Sequence, residues 1–313
     1  MSAHERVNTE QETATEILRK NGRSFHFASF FLTKPQAERA ARLYAFCRYI
    51  DDLADETDDK ADAAHKLDSV RRQLTGQDAP DHHVSDFLDL ASATNLNLAV
   101  PLSLIDGVMS DLNEVAFETE DALLQYAYRV AGTVGLMMCS VLDVKDSAAH
   151  PFAIDLGVAM QLTNIARDIM EDAKNGRRYV PGHWVDGASA EEISRPSEAL
   201  KPKLSMAANT LIDLADAYYD SAYRGLGYLP LRARFAILVA ARVYRQIGIK
   251  IKRHNSQVWR GRTIVSGSEK LSVASRAAGG FLAQKQLHSR HADHNANLHR
   301  ALNGFLGANT ALS

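Results

Sequence analysis

Hydrophobic residues recur at three- and four-residue spacings along most of the chain. In residues 37–55, for example, Ala40, Leu43, Cys47 and Ile50 share one helical face. Similar amphipathic patterns predict further helices at 86–98, 101–117, 120–142, 152–173, 204–224 and 231–252. Alternating runs of β-branched residues are nearly absent, and most prolines fall between these segments. The pattern therefore predicts an all-α fold.

Segments between and beyond these helices bear on domain organisation. No Gly/Ser-rich or Pro-rich linker and no fixed-period repeat divides the 313 residues, so we predict a single domain over 1–313. Residues 1–14, 57–85 and 280–313 are polar or weakly periodic, and we expect them to be less ordered. The last of these carries His288, His291, His294 and His299. A metal site is one interpretation of these histidines, but a solvated polar tail is the favoured one.

Composition excludes several function classes. The 36 Lys and Arg against 38 Asp and Glu give a net charge of −2, without the basic excess expected of a nucleic-acid-binding protein. Cys47 and Cys139 have no metal-ligand spacing, which favours a reducing compartment. The first 20 residues lack the apolar core of a secretory signal, and no apolar run reaches the ~20 residues of a membrane span. We expect a cytoplasmic protein.

The first feature with chemical content is an acidic cluster at the end of a predicted helix. At about 100° per residue, Tyr44, Arg48, Asp51 and Asp55 lie on one narrow stripe. Two carboxylates one turn apart repel each other and destabilise an isolated helix. Something must offset that repulsion.

A second helix, far along the chain, repeats the arrangement. Its polar face and flanks are formed by Gln161, Asn164, Arg167, Asp168, Glu171 and Asp172. Either cluster alone favours a solvated acidic surface. The recurrence on two helices, with Tyr, Asn and Gln in place of Lys partners, favours oxygen ligands for divalent cations instead. Mg²⁺ is commonly held by one or two carboxylates together with substrate phosphates. The pair of clusters therefore predicts a Mg²⁺-dependent clamp for a diphosphate.

Other catalytic templates are poorly supported. A di-iron bundle needs Glu-x-x-His pairs, and neither cluster contains a histidine. The chain has no G-x-S-x-G elbow, no Walker loop and no dinucleotide fingerprint after a strand.

These motifs resemble, in order, those of the squalene/phytoene synthases, the head-to-head prenyl transferases, from about Ser24 to Lys270. The matching segments are Ser24-Phe25 with Ala28-Ser29, Tyr44-Ala-Phe-Cys-Arg48 with Asp51-Asp52-x-x-Asp55, Tyr126-x-x-x-Val130-Ala131-Gly132-Thr133-Val134-Gly135, Gln161-x-x-Asn164-x-x-Arg167-Asp168-x-x-Glu171-Asp172 with Gly176-Arg-Arg-Tyr179-Val-Pro181, and Arg242-Val-Tyr244. The central and second motifs are most similar to those of the bacterial phytoene synthases.

The resemblance implies an isoprenoid-synthase helical bundle around a central cavity. It also implies that two geranylgeranyl diphosphates join through a cyclopropyl diphosphate to give phytoene, the precursor of carotenoids. Mg²⁺, with Mn²⁺ as a substitute, would be held by the acidic clusters, and no NADPH is expected. The implied metal-site residues are Asp51, Asp55, Asn164, Asp168, Glu171 and Asp172. Glu171 has two possible roles at this point: it binds the metal directly, or it only supports Asp172.

The resemblance also implies which residues meet the substrates. Arginines would bind the diphosphates, because their planar donors suit phosphate oxygens: Arg48, Arg167 and Arg262. Further polar contacts near the mouth of the cavity would come from Ser24, Gln161 and Asn164. The aromatic faces of Tyr44, Tyr126 and Tyr244 would stabilise the carbocation, although a packed core aromatic is the alternative for each. Phe25 would also contact the substrate, and the small residues Val130, Gly132 and Val134 would line the prenyl tunnel. The alternative for the small residues is close helix packing.

Several alternatives stay open at this point. One alternative keeps the fold but uses farnesyl diphosphate to make C30 squalene or dehydrosqualene. A catalytically dead family member acting as an assembly factor, or a helical scaffold, is a further alternative, although all four motif aspartates are present. A C40 hydrocarbon product must leave into lipid, so we expect peripheral contact with the inner face of the membrane. A phytoene desaturase is the expected downstream partner, and no nucleic acid is expected.

Overall fold

A computed structural model of the chain describes residues 12–55, 59–290 and 293–308, which form helices joined by short loops. The α-helices are α1 (Ala14–Asn21), α2 (Arg23–Ser29), α3 (Lys34–Asp55), α4 (Lys60–Leu74), α5 (His82–Thr94), α6 (Ala99–Ser110), α7 (Glu120–Ala127), α8 (Thr133–Val141), α9 (His150–Lys174), α10 (Ala190–Ser194), α11 (Leu200–Gly225), α12 (Leu231–Arg253) and α13 (Gly267–Phe281). Within these ranges the only β-type pairing is a single bridge between Ala116 and Arg178. The predicted all-α fold is confirmed.

Helix α9 lies at the centre of the packing, against α8, α11 and α12. Two glycines allow its backbone to approach that of its neighbours. A Cβ on Gly157 would lie 2.1 Å from the Ala131 carbonyl oxygen, and one on Gly135 would lie 2.1 Å from that of Ala153. A side chain at either position would force the helices apart. For Gly135, close helix packing is therefore the structural reason for the small residue.

Helix α7 continues into α8 through one wider π-helical turn, Tyr128–Gly132. Such turns insert an extra residue into a helix and are frequent near functional sites. Gly132 is buried, and a Cβ there would lie 3.1 Å from the Tyr128 ring. Val130 and Val134 are half-buried and pack on the core. All three therefore lie in a tightly packed layer between α6 and α9.

The expectation that residues 57–85 are less ordered is wrong for most of that segment. Helix α4 begins after Asp59, whose side chain accepts hydrogen bonds from the first-turn amides, and α5 begins after Asp81 in the same way. In α4, Leu67 and Val70 are fully buried. Residues 56–58 lie outside the described residues.

The solvated-tail interpretation of residues 280–313 is also wrong where the structure describes them. The tail folds back along α7, α9 and α11, and His299 and Leu302 are fully buried. Three side chains hold its backbone: Tyr218 donates to Leu298 O at 2.6 Å, Tyr128 to Leu306 O at 2.7 Å, and Gln125 to Ala301 O at 3.1 Å. The segments 1–11, 291–292, which includes His291, and 309–313 lie outside the described residues. A single domain over 1–313 stays a prediction.

No helix in the described ranges combines the length and the apolar character needed to cross a membrane.

Candidate active site

The first acidic cluster occupies the last two turns of α3. Arg48 pairs with Asp52, the aspartate between the two predicted ones, while Asp55 accepts from Arg177 Nη2 at 3.1 Å. The pKa of Asp51 is raised to about 7, first because the surrounding protein displaces water and then because Asp55 adds negative charge; Arg48 opposes the shift. Solvent still reaches Asp51 from one side. This carboxylate therefore faces an accessible space in which a proton or a cation is favoured.

The second acidic cluster occupies the C-terminal half of α9. Asp168 accepts from Arg167 Nε at 2.9 Å and from Arg262 Nη2 at 3.1 Å, and Arg262 also lies 3.6 Å from Glu171. Within the described part of the chain Asp172 has no such direct pairing, and burial and the neighbouring Asp168 raise its pKa to about 7. The predicted residues Arg167 and Arg262 are thus placed on the second cluster, although Arg262 comes from the loop after α12.

Asp111, at the end of α6, joins the two clusters. Its charge raises the pKa of both Asp51 on α3 and Asp172 on α9. Its own pKa is raised to about 6 by burial, against the hydrogen bond from Tyr126 and the charge of Arg177. Arg177, in the loop after α9, donates to Asp55 at the end of α3, which brings the ends of the two helices together. That the two clusters face each other across a cavity stays a prediction.

Two loop residues after α9 complete this electrostatic centre. Burial lowers the pKa of Arg177, but Tyr179, the hydrogen bond to Asp55 and the charge of Asp111 outweigh it and raise that pKa well above the usual range. The Tyr179 ring stacks on Tyr126 with centroids 4.9 Å apart. Arg177 and Tyr179 belong to the Gly176–Pro181 motif, but the sequence predicted no role for either residue. For Asp111, a single carboxylate at a helix end, the sequence carries no spacing signal.

Tyr126 lies behind the site rather than in it. It is 6% exposed, and its hydroxyl donates to Asp111 Oδ2 at 2.7 Å and lies 3.2 Å from the Tyr179 hydroxyl. This contact orients Asp111. The geometry therefore favours a positioning role for Tyr126 over direct contact with substrate.

Three predicted aromatic residues gather between the two clusters. The Phe25 ring centroid lies 6.2 Å from that of Tyr44 on α3 and 5.2 Å from that of Tyr244 on α12. The pKa of Tyr44 is raised to about 12, by burial and then by Tyr244. Burial also raises the pKa of Tyr244, which lies close enough to Arg167 for that guanidinium to oppose the shift. The cluster presents ring faces beside both acidic helices.

The turn that carries Ser24 and Phe25 is fixed against the same cluster. A Cβ on Gly22 would lie 2.9 Å from the Tyr44 ring, so only glycine allows α2 to begin there. Ser24 is half-buried in the first turn of α2, next to Phe25. The predicted N-terminal motif thus reaches the site.

Asn164 lies one turn and Gln161 two turns before Asp168 on α9. Asn164 Nδ2 donates to Gln161 Oε1 at 3.4 Å. Among the described residues, Asn164 Oδ1 and Asp111 Oδ1 are buried acceptors without a hydrogen-bond donor. Buried oxygens are rarely left in this state, so each is a candidate ligand atom.

A basic cavity of about 540 Å³ adjoins the second cluster. Its charged lining comes from Arg167, Lys250, His254, Arg260 and Arg262. Lys250 is held there by the Ile264 carbonyl at 2.7 Å and by Glu269 at 3.0 Å. Positive charge concentrated beside carboxylates suits a ligand that brings both anionic groups and cations.

Comparison with known proteins agrees with this arrangement. Residues 18–269 match the family described as squalene/phytoene synthase. The chain is 36% identical over 289 residues to the 15-cis-phytoene synthase of Enterobacter agglomerans, which covers 88% of this chain and 97% of that protein. It is 34% identical over 286 residues to the 15-cis-phytoene synthase of Pantoea ananas, with 87% and 92% covered. A solved dehydrosqualene synthase in complex with ligand superposes with a TM-score of 0.77 at 26% identity, covering 86% of this chain and 95% of that one.

Proposed function

Since the chain belongs to the squalene/phytoene synthase family, we propose that it condenses two geranylgeranyl diphosphates head to head into phytoene. The first bond-forming step gives a cyclopropyl (prephytoene) diphosphate with release of one diphosphate. The second diphosphate then leaves, and rearrangement and proton loss give the C40 product of carotenoid biosynthesis. Two relatives named 15-cis-phytoene synthase, each similar over most of the chain, support this substrate.

One observation carries the proposal: the carboxylate-bearing ends of α3 and α9 lie together, joined by the hydrogen bond from Arg177 to Asp55 and by Asp111, which lies near Asp51 and Asp172. Burial and then neighbouring carboxylates raise the pKa of Asp51 and that of Asp172, and among the described residues Asn164 Oδ1 is a buried neutral oxygen without a donor. Carboxylates with a neutral oxygen are the donor set that Mg²⁺ or Mn²⁺ prefers. The residues present therefore fit such ions, which would be held by Asp51, Asp55, Asp168 and Asp172, with Asn164 and Glu171 beside them.

Bound divalent cations would supply charge neutralisation for the departing diphosphate. The chain's own residues do the rest. Arg167 and Arg262, which neutralise Asp168 in this structure, lie at the basic cavity where phosphate oxygens would enter. Arg48 lies on the opposite helix. The rings of Phe25, Tyr44 and Tyr244 offer negative faces to an allylic cation and exclude the water that would quench it.

The C30 alternative keeps the same residues and uses farnesyl diphosphate to make squalene or dehydrosqualene. It is supported by the similarity to a solved dehydrosqualene synthase. Both alternatives share the metal site and the ionisation chemistry. They differ in the length of the prenyl chain that is accepted, and the squalene product would in addition require a hydride donor such as NADPH.

The experiment is to incubate purified protein with Mg²⁺ and, separately, geranylgeranyl and farnesyl diphosphate, and to identify extracted products by mass spectrometry. We expect a C40 hydrocarbon that disappears with EDTA and is indifferent to NADPH. A C30 hydrocarbon would establish the alternative substrate. No hydrocarbon from either would overturn the catalytic proposal and favour a catalytically dead assembly factor.

We also propose peripheral contact with the inner face of the membrane, where a hydrocarbon product would pass to a phytoene desaturase. Phe30 at the end of α2 is 68% exposed and Leu231 at the start of α12 is 55% exposed. Arg232 ties the two helices by donating to Phe31 O at 3.4 Å, and it adds a positive charge suited to anionic lipid. Sedimentation with anionic liposomes tests this: Phe30→Ser with Leu231→Ser should weaken binding, whereas Met206→Ser, exposed on α11, should not. Equal binding by all three proteins would contradict the proposal.

A further inference from the structure

A second cluster of ligand-type side chains lies at the other end of α9. Asp155 Oδ2 lies 2.9 Å from His294 Nε2, and Asp155 Oδ1 lies 2.7 Å from His299 Nε2. One ligand atom from each of the three residues falls within 4.8 Å of the others. Both histidines come from the C-terminal tail, far from Asp155 in sequence. The cluster therefore connects the tail to α9.

This cluster is almost entirely removed from solvent. The side chains of Asp155 and His299 are fully buried, and that of His294 is 12% exposed. A buried carboxylate is costly unless a cation or strong donors compensate for it. Two imidazoles aimed at one buried carboxylate provide nitrogen and oxygen donors, the set that zinc prefers.

The second ring nitrogen of His299 helps to distinguish a metal ligand from a simple ion pair. His299 Nδ1 lies 3.3 Å from the Ala308 carbonyl oxygen, which only accepts, so a hydrogen bond between them uses the tautomer with a proton on Nδ1. If Nε2 also carried one, His299 would be a fully buried imidazolium. If Nε2 instead binds a metal, the ring stays neutral, and an Nδ1–H donated to a backbone carbonyl is the usual outer contact of a metal-bound histidine.

Two further features match a closed zinc site. Ser221 on α11 donates to Asp155 Oδ2 at 2.5 Å, as the carboxylate ligands of metals are commonly supported by a second hydrogen bond. The spacing His294-x-x-x-x-His299 falls within the roughly three to five intervening residues found between paired zinc histidines. The segment between them is held in place by Tyr218, which donates to Leu298 O at 2.6 Å.

We propose that Asp155, His294 and His299 bind one zinc ion, with a water as the fourth ligand and Ser221 supporting Asp155. The site is structural: it fastens residues 293–308 to α9. It lies thirteen residues before Asp168, roughly 20 Å along the helix at about 1.5 Å per residue, so it is separate from the carboxylate site that would hold Mg²⁺.

The test begins with the metal content of the full-length protein purified without chelator, measured by plasma mass spectrometry. We expect about one zinc per chain, retained after Mg²⁺ exchange and removed only by prolonged EDTA. Returning Zn²⁺ alone should raise the midpoint of thermal unfolding by several degrees. A wild-type protein that neither retains nor rebinds zinc would overturn the proposal and leave the cluster as a hydrogen-bonded clasp.

Matched variants localise the ion. His299→Gln and His294→Gln should lose the zinc and the thermal shift, whereas His65→Gln, an exposed histidine on α4, should keep both. Asp168→Asn should also keep them, which distinguishes this site from the acidic clusters. Should the tail variants fail to fold, the absorption spectrum of the wild-type protein refilled with Co²⁺ decides: strong tetrahedral bands support the site, and a weak octahedral spectrum contradicts it.

Discussion

An aspartate near each end of α9 has a shifted pKa, and the two shifts have opposite signs. Near its start, Asp155 is fully buried, yet its pKa lies below the usual range: burial raises it, but hydrogen bonds from His294 and His299 outweigh that effect. Near its end, Asp172 is less completely buried, and its pKa is raised to about 7 by burial and by Asp168. Burial raises the pKa of both aspartates. The direction of the net shift is therefore set by the side chains around each carboxylate.

This difference separates a carboxylate whose neighbours are imidazoles and a hydroxyl from carboxylates whose neighbours include other carboxylates. Asp155 has donors supplied by the chain itself, from α11 and the tail. The acidic clusters have too few donors, and Asp111 repels both Asp51 on α3 and Asp172 on α9. Unrelieved repulsion lowers the stability of the free protein, and it is typical of sites that bind cations or protons during function. The comparison predicts opposite responses to the same substitution at the two ends.

The largest effect is expected from Asp172→Asn. Removing a charge that the cations need should lower kcat by roughly 10³-fold or more, because several kcal/mol of charge stabilisation are lost. Removing a repelled carboxylate should also leave the metal-free protein as stable as wild type or more so. Product formation from geranylgeranyl diphosphate and urea unfolding without Mg²⁺ measure the two effects. If Asp172→Asn kept its turnover and lost stability, Asp172 would support the fold and would not serve cation binding.

The same substitution at the other end, Asp155→Asn, should act on stability instead. It leaves two buried imidazoles without their carboxylate, and breaking such a buried pair costs about 3 kcal/mol or more. Urea unfolding at constant temperature measures this loss. Asp89→Asn, at an exposed position of α5, is the control and should stay within about 0.5 kcal/mol of wild type. An Asp155→Asn protein as stable as the control would remove the contrast between the two ends.

The parts of the fold and site that were predictable from sequence are those encoded within one helix. Apolar spacing located most of the long helices, and one-turn spacing identified Asp51 with Asp55 and Asp168 with Asp172. Helix α4 was missed because its buried positions, Leu67 and Val70 among them, alternate with so many charged residues that the apolar stripe is narrow.

The parts that were not predictable depend on contacts between distant segments. Asp111 matters because α6 ends between α3 and α9, which no local spacing reveals. The tail histidines appeared solvated because their partner, Asp155, precedes His294 by 139 positions. Arg177 lies in the Gly176–Pro181 motif, but its contact with Asp55 joins positions that are 122 residues apart. Chemistry that arises from packing leaves little trace in a single sequence.

The pH dependence of Mg²⁺ binding gives a smaller but sharper test. With folded pKa values of about 7, Asp51 and Asp172 keep protons between pH 4 and 7 that an unfolded aspartate, with an ordinary pKa of 3.8, releases. The metal-free fold therefore loses stability as pH rises through this range. Cations must displace the same protons, so the Mg²⁺ concentration for half-maximal activity should be about tenfold higher at pH 6 than at pH 8. Magnesium titrations at both pH values measure it, and equal requirements would contradict the shared acidic space.

The smallest effect concerns the hydrogen bond that orients Asp111. In Tyr126→Phe, Asp111 loses the donor that holds its pKa down to about 6, so that pKa should rise and the carboxylate should stay protonated at higher pH. Loss of one such bond is worth about 1 kcal/mol, which corresponds to a severalfold fall in activity at pH 6.5 and a smaller one at pH 8.

Tyr128→Phe is the matched control for this last substitution, because the Tyr128 hydroxyl donates to Leu306 O in the tail at 2.7 Å. It also removes a tyrosine hydroxyl, two residues further along the chain, but this hydroxyl contacts the C-terminal tail. We expect it to lower the unfolding midpoint slightly and to leave the pH profile of kcat unchanged. A profile that moves equally in both variants would show that Asp111 does not set the pH response, and that the hydroxyls act only through packing.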